Sequence, residues 1–231
     1  MLTRNTSPMA NENRFLVIDD HEAVLAGTLP ALQQRYPQAR IATATSAKSA
    51  KQQLAERPHD IVVVDLHLPE TRRATATVET GMKLLRRVMD SEQAPNIMVL
   101  SVNVKPLLRI KSDINGYEGG FVAIDIARPM KDMLDSIDLS MRGSTYLPPD
   151  IRSRPEFDPK WLSVLQLKYH EGRSDIAIAR RLGISDRTVR NYWVRIQDTL
   201  EIYDDPDSDL RVQIQLVARR AGLIDLTGHA S

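Results

Sequence analysis

The sequence predicts an α/β, doubly wound parallel sheet of five strands, followed by a smaller all-helical domain. Three observations carry this. Runs of about four apolar residues without polar alternation recur, as suits strands buried on both faces. They alternate with segments of helical period, and such alternation implies a parallel sheet covered by helices on both sides. Past residue 143 the alternation stops, and from Asp158 to Leu223 every strong signal is helical.

The strands are Phe15–Ile18, Arg40–Thr45, Ile61–Val64, Ile97–Leu100 and Phe121–Ile126. Ala23–Arg35 has helical spacing and stops before Pro37, and Ala47–Glu56 is a helix ended by Pro58. Gly81–Met89 and Met130–Met141 complete the helices of this part. Gly143, Pro148, Pro149 and Pro155 then break the pattern and mark a linker. The boundaries expected from this are a disordered tail over 1–12, an α/β domain over 13–142, a linker over 143–156, a helical domain over 157–226, and a tail over 227–231.

Composition narrows the function classes. At 231 residues the chain has room for one large domain or two small ones. The absence of cysteine excludes disulfides and thiolate metal sites. No run is long enough to span a bilayer, and the polar start, Met1–Asn13, lacks the apolar core of a signal peptide. A cytoplasmic protein without membrane partners is expected. Net charge is only +1, so nucleic-acid binding has to be sought in local charge.

Functional groups in open α/β sheets gather at the carboxyl ends of strands. Three such ends here carry Asp19-Asp20, Asp65 and Ser101. Adjacent carboxylates repel and raise each other's pKa unless a cation sits between them, and hard oxygen ligands suit Mg²⁺. One carboxylate could then attack a phosphoryl donor, giving an acyl phosphate, with the Ser101 hydroxyl hydrogen-bonding the transferred group. Any one acidic residue at a strand end is more simply a solvated turn residue. The ordered set of an Asp-Asp pair, V-V-V-D-L-H-L-P and a strand closing on Ser is harder to explain that way.

F-L-V-I-D-D-H at Phe15–His21 and V-V-V-D-L-H-L-P at Val62–Pro69 resemble the receiver domains of two-component response regulators of the NarL/FixJ group. The resemblance spans roughly Arg14 to Leu147 and includes the ending R-G-S-T-Y-L-P-P. It implies a flavodoxin-like fold and phosphorylation of Asp65 by a histidine kinase. It further implies Mg²⁺ held by Asp20, Asp65 and the main-chain carbonyl of His67, with Asp19 acting through water. Ser101 and Phe121 would form the switch pair.

Two departures make this receiver atypical. The family has a lysine at the end of its last strand, where G-G-F-V-A-I-D-I places Ile124 or Ile126, and the basic residue nearby is Arg128. Isoleucine there removes an electrostatic partner of the phosphoryl oxygens. The stretch Glu70–Thr80 is also long, since sixteen positions separate Asp65 from Gly81, about twice the family's usual step. The favoured reading of this insertion is a solvated surface extension. A sharper one has Arg72 or Arg73 supplying the missing cation.

The helical part holds two capped helices in tandem. Ser174 caps Asp175–Leu182, Gly183 suits the left-handed residue after a helix end, and Ser185 caps the helix that begins at Asp186. On that second helix Val189, Trp193, Ile196 and Leu200 share one stripe. Arg187, Arg190, Asn191 and Val194 lie opposite, with Arg195 at the edge. An apolar back and an Arg/Asn front suit the major groove, where Arg pairs with guanine and Asn with adenine. From Lys168 to Arg195 the net charge is +4, which favours phosphates. An ordinary helical hairpin with a solvated face would also show arginines.

The order G-R-S-D-I-A-I-A-R-R-L-G-I-S-D-R-T-V-R-N-Y is similar to the LuxR-type helix-turn-helix, over about Phe157–Ile224. That resemblance implies base-edge contacts from Arg190, Asn191 and Val194, and phosphate contacts around Ser185, Arg187 and Thr188. Double-stranded DNA and a homodimer are the expected partners, beside the kinase. An acidic run follows, from Asp198 to Asp209, with a net charge of −6. It reads as a solvated loop leading to a last helix, Leu210–Ala221, whose Val212, Leu216 and Arg219-Arg220 suit a dimer face or core closure.

The expected function is a DNA-binding transcription regulator, controlled by or derived from aspartate phosphorylation, without enzymatic turnover. The alternatives are a phosphorylation-independent orphan regulator, a protein-binding adaptor keeping both folds, and a phosphatase of the phosphoaspartyl type.

Overall fold

The computed structural model describes residues 13–203 and 208–225. They divide into two compact units. One comprises 13–104 with Tyr117–Tyr146, and the other comprises Lys105–Gly116 with the described residues from Leu147 onward. The expected α/β domain, 13–142, thus gives Lys105–Gly116 to the second unit. The expectations for 1–12 and 227–231 lie outside the described residues.

In the first unit β1 (Arg14–Ile18), β2 (Arg40–Ala44), β3 (Ile61–Val64), β4 (Asn96–Ser101) and β5 (Phe121–Asp125) form a parallel sheet in the order β2-β1-β3-β4-β5. Helices α1 (Glu22–Arg35), α2 (Ala47–Glu56), α3 (Val78–Met89) and α5 (Met130–Met141) cover it, α4 (Lys111–Asn115) belonging to the other unit. β3 is buried along its whole length, as its unbroken Ile-Val-Val-Val requires. On one face of the sheet Phe15, Val17, Ile61, Val63, Met98, Leu100, Val122 and Ile124 pack with Leu32, Met133 and Ile137.

A sixth strand corrects the count of five. β6 (Thr145–Tyr146) pairs in parallel with Phe121 and Val122, and the Phe121 amide donates to Ser144 O at 3.0 Å. Gly143, at φ 74°, turns the chain out of α5 in the left-handed region that glycine favours and so lines up this short edge. Those residues carry turn signals, which is why they read as linker.

Register places the functional ends together. Ile18 pairs with Ala44 and Val64, Val64 with Val99, and Ser101 with Asp125. The residues just past β1 and β3, and the last residue of β4, therefore share one edge of the sheet. Helix α3 starts at Val78, three residues ahead of the expected Gly81, because the Thr77 hydroxyl caps it, accepting from the Thr80 amide at 3.2 Å. A Cβ on Gly81 would sit 2.0 Å from Leu66 O, so only glycine lets α3 lie against the segment that follows Asp65.

The second unit contains α6 (Pro149–Arg152), α7 (Pro159–Tyr169), α8 (Asp175–Leu182), α9 (Asp186–Thr199) and α10 (Leu210–Arg220). It also contains a 3₁₀ turn, Lys105–Ile110, running into α4 (Lys111–Asn115), a segment to which periodicity assigned no element. Arg109 is buried there, its Nε donating to Gly222 O at 2.7 Å and its Nη2 lying 2.6 Å from Asp225 Oδ1. The Lys111 ammonium donates to the carbonyls of Arg152 (2.7 Å) and Arg154. Among the described residues no helix is long and apolar enough to cross a membrane.

Candidate phosphoacceptor pocket and nucleic-acid interface

The acidic pocket is built by turn chemistry at strand ends. The Asp65 amide donates to Ile18 O at 3.0 Å and the Asp19 amide to Ala44 O at 3.1 Å, which carries the ladder one residue past each strand. Asp65 is nearly buried, and the Ser101 hydroxyl donates to its Oδ1 at 2.6 Å. Asp19 Oδ1 accepts from the His21 amide at 2.8 Å, an Asx turn that aims the carboxylate inward, and lies 3.1 Å from His21 Nδ1.

Ligand atoms of Asp19, Asp20, His21 and Asp65 all lie within 4.8 Å of one another. Burial pushes the Asp19 carboxyl above the usual carboxylate range, and the Asp65 charge adds to this while hydrogen bonds from His21 oppose it. The hydrogen bond to Asp19 raises the His21 ring above its ordinary value. Asp20 Oδ1 is shielded from water without a hydrogen bond, its basic neighbour being His21 Nδ1 at 3.4 Å. Crowded carboxylates with an orphaned oxygen and no sulfur ligand fit a hard divalent cation such as Mg²⁺.

Register and exposure place the other expected members. Phe121 is fully buried at the start of β5 and pairs with Ile97, whereas Ser101 pairs with Asp125, so four positions separate the two levels along one face. His67 is exposed, two residues past Asp65. Of the two places open for a lysine, Ile124 packs in the apolar core opposite Leu100, and Ile126 follows the strand, its amide donating to Ser101 O at 3.2 Å. Arg128 is exposed and pairs with Asp132 at 3.7 Å. Arg72 and Arg73 are exposed, and among the described residues neither forms an ion pair with the pocket. The loop that carries them is closed by an antiparallel bridge, Leu68 to Thr77, and tied to α2 by the Lys51–Glu70 ion pair at 2.8 Å. His21 is the pocket member that sequence reasoning passed over, although it stood in the quoted D-D-H.

The second candidate surface is α9. The Ser185 hydroxyl accepts from the Thr188 amide at 3.1 Å, and Gly183 at φ 66° turns the chain out of α8. Val189, Trp193, Ile196 and Leu200 are buried, while Arg187, Arg190, Asn191 and Arg195 are exposed. Val194 stands among them as an apolar residue 54% exposed.

A network under this helix was not foreseen. Trp193 Nε1 donates to Asp175 Oδ1 at 3.2 Å, and the Arg211 guanidinium stacks 3.6 Å from the Trp193 ring centroid while reaching Asp175 Oδ2 at 3.2 Å. The Tyr169 hydroxyl donates to Arg211 O at 2.6 Å. Together these bonds fix the back of α9 to α7, α8 and α10. Nothing in the spacing of these four residues announces it, since each partner sits on a different helix.

Residues 15–117 match the family described as the response regulator receiver domain. That stretch belongs to the response regulator receiver family. Over 232 residues the chain is 23% identical to the transcriptional regulatory protein YdfI of Bacillus subtilis (strain 168), covering 93% of this chain and 99% of that protein. Its fold resembles that of the two-component response regulator RcsB in a complex with DNA, with a TM-score of 0.56, 19% identity, and coverage of 90% of this chain and 98% of RcsB. A structure of two RcsB dimers bound to two parallel DNAs gives a TM-score of 0.55 at 19% identity, again covering 90% and 98%. Beside the receiver pattern that the sequence resembles, this chain has Ile124 or Ile126 at the lysine position and a longer loop after Asp65.

Proposed function

We propose that this chain is a response regulator, a DNA-binding transcription regulator whose receiver accepts a phosphoryl group on Asp65. The observation that carries the DNA reading is α9, whose apolar back is buried and whose front offers Arg187, Arg190, Asn191, Val194 and Arg195 to solvent. Arg190 and Asn191 would read base edges through paired hydrogen bonds, and Val194 would meet a thymine methyl. Ser185, Arg187 and Thr188 sit at the start of α9, where they would hold phosphates and set register. The RcsB complexes support this by analogy of fold. Exposed Val212 and Leu216, one turn apart on α10, support a homodimer.

In the receiver, an Asp65 oxygen would bond to phosphorus as the P–N bond of a kinase phosphohistidine breaks, its electron pair leaving with the imidazole. Ser101, already donating to Asp65, would turn its hydroxyl to the new phosphoryl oxygens. Asp20, Asp65 and the His67 carbonyl would hold Mg²⁺, with Asp19 through water. When bound, the ion neutralises charge on the transferred group. Phe121 would respond to the Ser101 movement through the face they share.

The apolar Ile124 favours a looser version of this scheme. No lysine or arginine pairs with Asp65 among the described residues, so the phosphoryl group would lack its usual fixed cation. Specific DNA binding without phosphate is therefore expected. Genomic footprinting of the native protein, with and without acetyl phosphate and Mg²⁺, tests both points. Specific sites should appear in both conditions, and labelling should vanish in Asp65→Ala. An absence of sites in both would leave the protein-binding adaptor as the better reading. Sites seen only after phosphorylation would show that another cation serves the pocket.

A further inference from the structure

The edge of the sheet opposite the acidic pocket carries a cluster unused by that scheme. β1 and β2 start there at Arg14 and Arg40, and Arg57 and His59 stand just ahead of β3. His59 is 6% exposed, and neither ring nitrogen makes a hydrogen bond of ordinary geometry, the Arg57 main chain being a weak polar neighbour. A neutral imidazole carries one N–H, and the Arg57 main chain is its one acceptor at hand among the described residues, outside good hydrogen-bond geometry. Burial holds the ring's pKa below 6.5, and the charges of Arg57 and Arg14 add to this against Asp60.

Two cavities meet at this residue. The larger, about 690 Å³, lies between α2 and α3 and is lined by Lys51, Lys83, Arg86 and Arg87 against a single acid, Asp90. Leu54, Ala55, Val88 and Pro95 give it an apolar floor. The smaller, about 260 Å³, sets Arg14, Arg40 and Arg57 around His59. Lys51 and Lys83 are engaged with Glu70 and Glu79, at 2.8 and 3.9 Å. Arg86 and Arg87 are exposed and form no ion pair among the described residues.

We propose that the α2–α3 cleft binds a small organic polyanion, its charges on Arg86 and Arg87 and its apolar body over Leu54 and Val88. The larger cavity falls in the size range of small-molecule sites, roughly 300–1,000 Å³. Guanidinium forks pair with phosphate and carboxylate alike, so the shared chemistry is a multivalent oxyanion. A bare inorganic phosphate would leave the apolar floor uncovered. An anion reaching the His59 ring would also offer its N–H an acceptor beside the Arg57 main chain. The site stands at the far end of the strands from Asp65, so an occupant would not compete with phosphorylation for room.

The test is calorimetric titration of the full chain with ADP, with citrate and with inorganic phosphate. Mg²⁺ is omitted, so that the acidic pocket does not take the probes. ADP or citrate should bind saturably at one site, more tightly than inorganic phosphate. Saturation by ADP alone assigns a phosphate-bearing ligand, and saturation by citrate alone a polycarboxylate. The double variant Arg86→Gln, Arg87→Gln should weaken binding at least tenfold, and Arg72→Gln, Arg73→Gln, which removes equal charge elsewhere, should not. His59→Gln, tested beside them, should weaken binding less than the arginine pair does. No saturation by ADP or citrate up to 10 mM overturns the proposal. So does equal weakening by both arginine pairs, or binding that survives loss of Arg86 and Arg87, which would place the probe on another basic face such as α9.

Discussion

Replacing Arg109 by alanine should destabilise the second unit far more than a typical surface change. The side chain is 6% exposed and makes a two-pronged contact with Asp225, at 2.6 and 3.3 Å, beside the bond to Gly222 O. Breaking a buried ion pair by removing one partner costs about 3–5 kcal/mol, because the other charge is left uncompensated. Asp225 keeps 23% of its side-chain exposure and can recover water, which lowers that figure. The stranded Gly222 carbonyl adds about 1–3 kcal/mol if water cannot reach it. A loss of about 2–4 kcal/mol is expected, or roughly 30- to 1,000-fold in the folding equilibrium. Both tryptophans of the chain, Trp161 and Trp193, lie in this unit, so their fluorescence in a urea titration reads it selectively. Asp225→Asn and the double variant complete a cycle whose coupling should exceed about 1 kcal/mol. A shift below about 0.5 kcal/mol in Arg109→Ala, or a coupling near zero, would show that Lys105–Gly116 does not stabilise this unit.

Further outcomes follow from other contacts. Gly81→Ala drives a Cβ into Leu66 O, and because main chain cannot yield as a side-chain tip does, the cost should reach about 3 kcal/mol, the upper end for overpacking. Acetyl phosphate labelling at the adjacent Asp65 should fall with it. His59 has a depressed pKa, so below pH 6.5 the unfolded chain binds a proton that the folded chain does not. Stability should therefore decline as pH falls from 6.5 toward the folded value. His59→Gln should flatten that decline in urea titrations at pH 7.5 and 5.5, and an unchanged slope would contradict the shift. Arg190→Ala should cost about 1–3 kcal/mol at one base pair and relax preference there, as a lost bidentate contact does. Arg187→Ala should instead weaken all sequences alike and reduce the salt dependence of binding. Swapped phenotypes in a base-pair substitution series would mean that α9 enters its groove with a different face.

What could be read from sequence were the features whose cause is local. Ile61–Val64 announces a buried strand by its own side chains, and the Asp residues that follow β1 and β3 inherit their place from it. Ser174, Gly183 and Ser185 announce two helices because caps act within a turn. Segment Lys105–Gly116 was not legible for the opposite reason. Nothing local to Arg109 and Lys111 signals burial, and only partners more than forty positions away, at Gly222, Asp225 and Arg152, make it affordable. The short strand Thr145–Tyr146 was hidden by turn residues that serve as its lead-in. The acidic stretch after α9 lies in part outside the described residues, at Asp204, Asp205 and Asp207. Its last member, Asp209, caps α10, accepting from the Arg211 amide at 2.7 Å.

The bridge between Leu68 and Thr77 gives the loop after Asp65 a property of practical use. Both ends of the loop are pinned by one reciprocal pair of main-chain bonds, Leu68 N to Thr77 O at 3.3 Å and Thr77 N to Leu68 O at 2.9 Å. Closure is therefore settled at the base, and the entropy of whatever is strung between grows only with the logarithm of its length. Doubling the span adds about 0.6 kcal/mol. Arg72, Arg73 and Ala74, exposed at its tip, could thus be exchanged for a longer guest peptide, a protease site or a dye-labelled cysteine in this cysteine-free chain. Such a guest would stand a few residues from Asp65, the proposed phosphoacceptor, where it could report on the pocket in solution without being part of it.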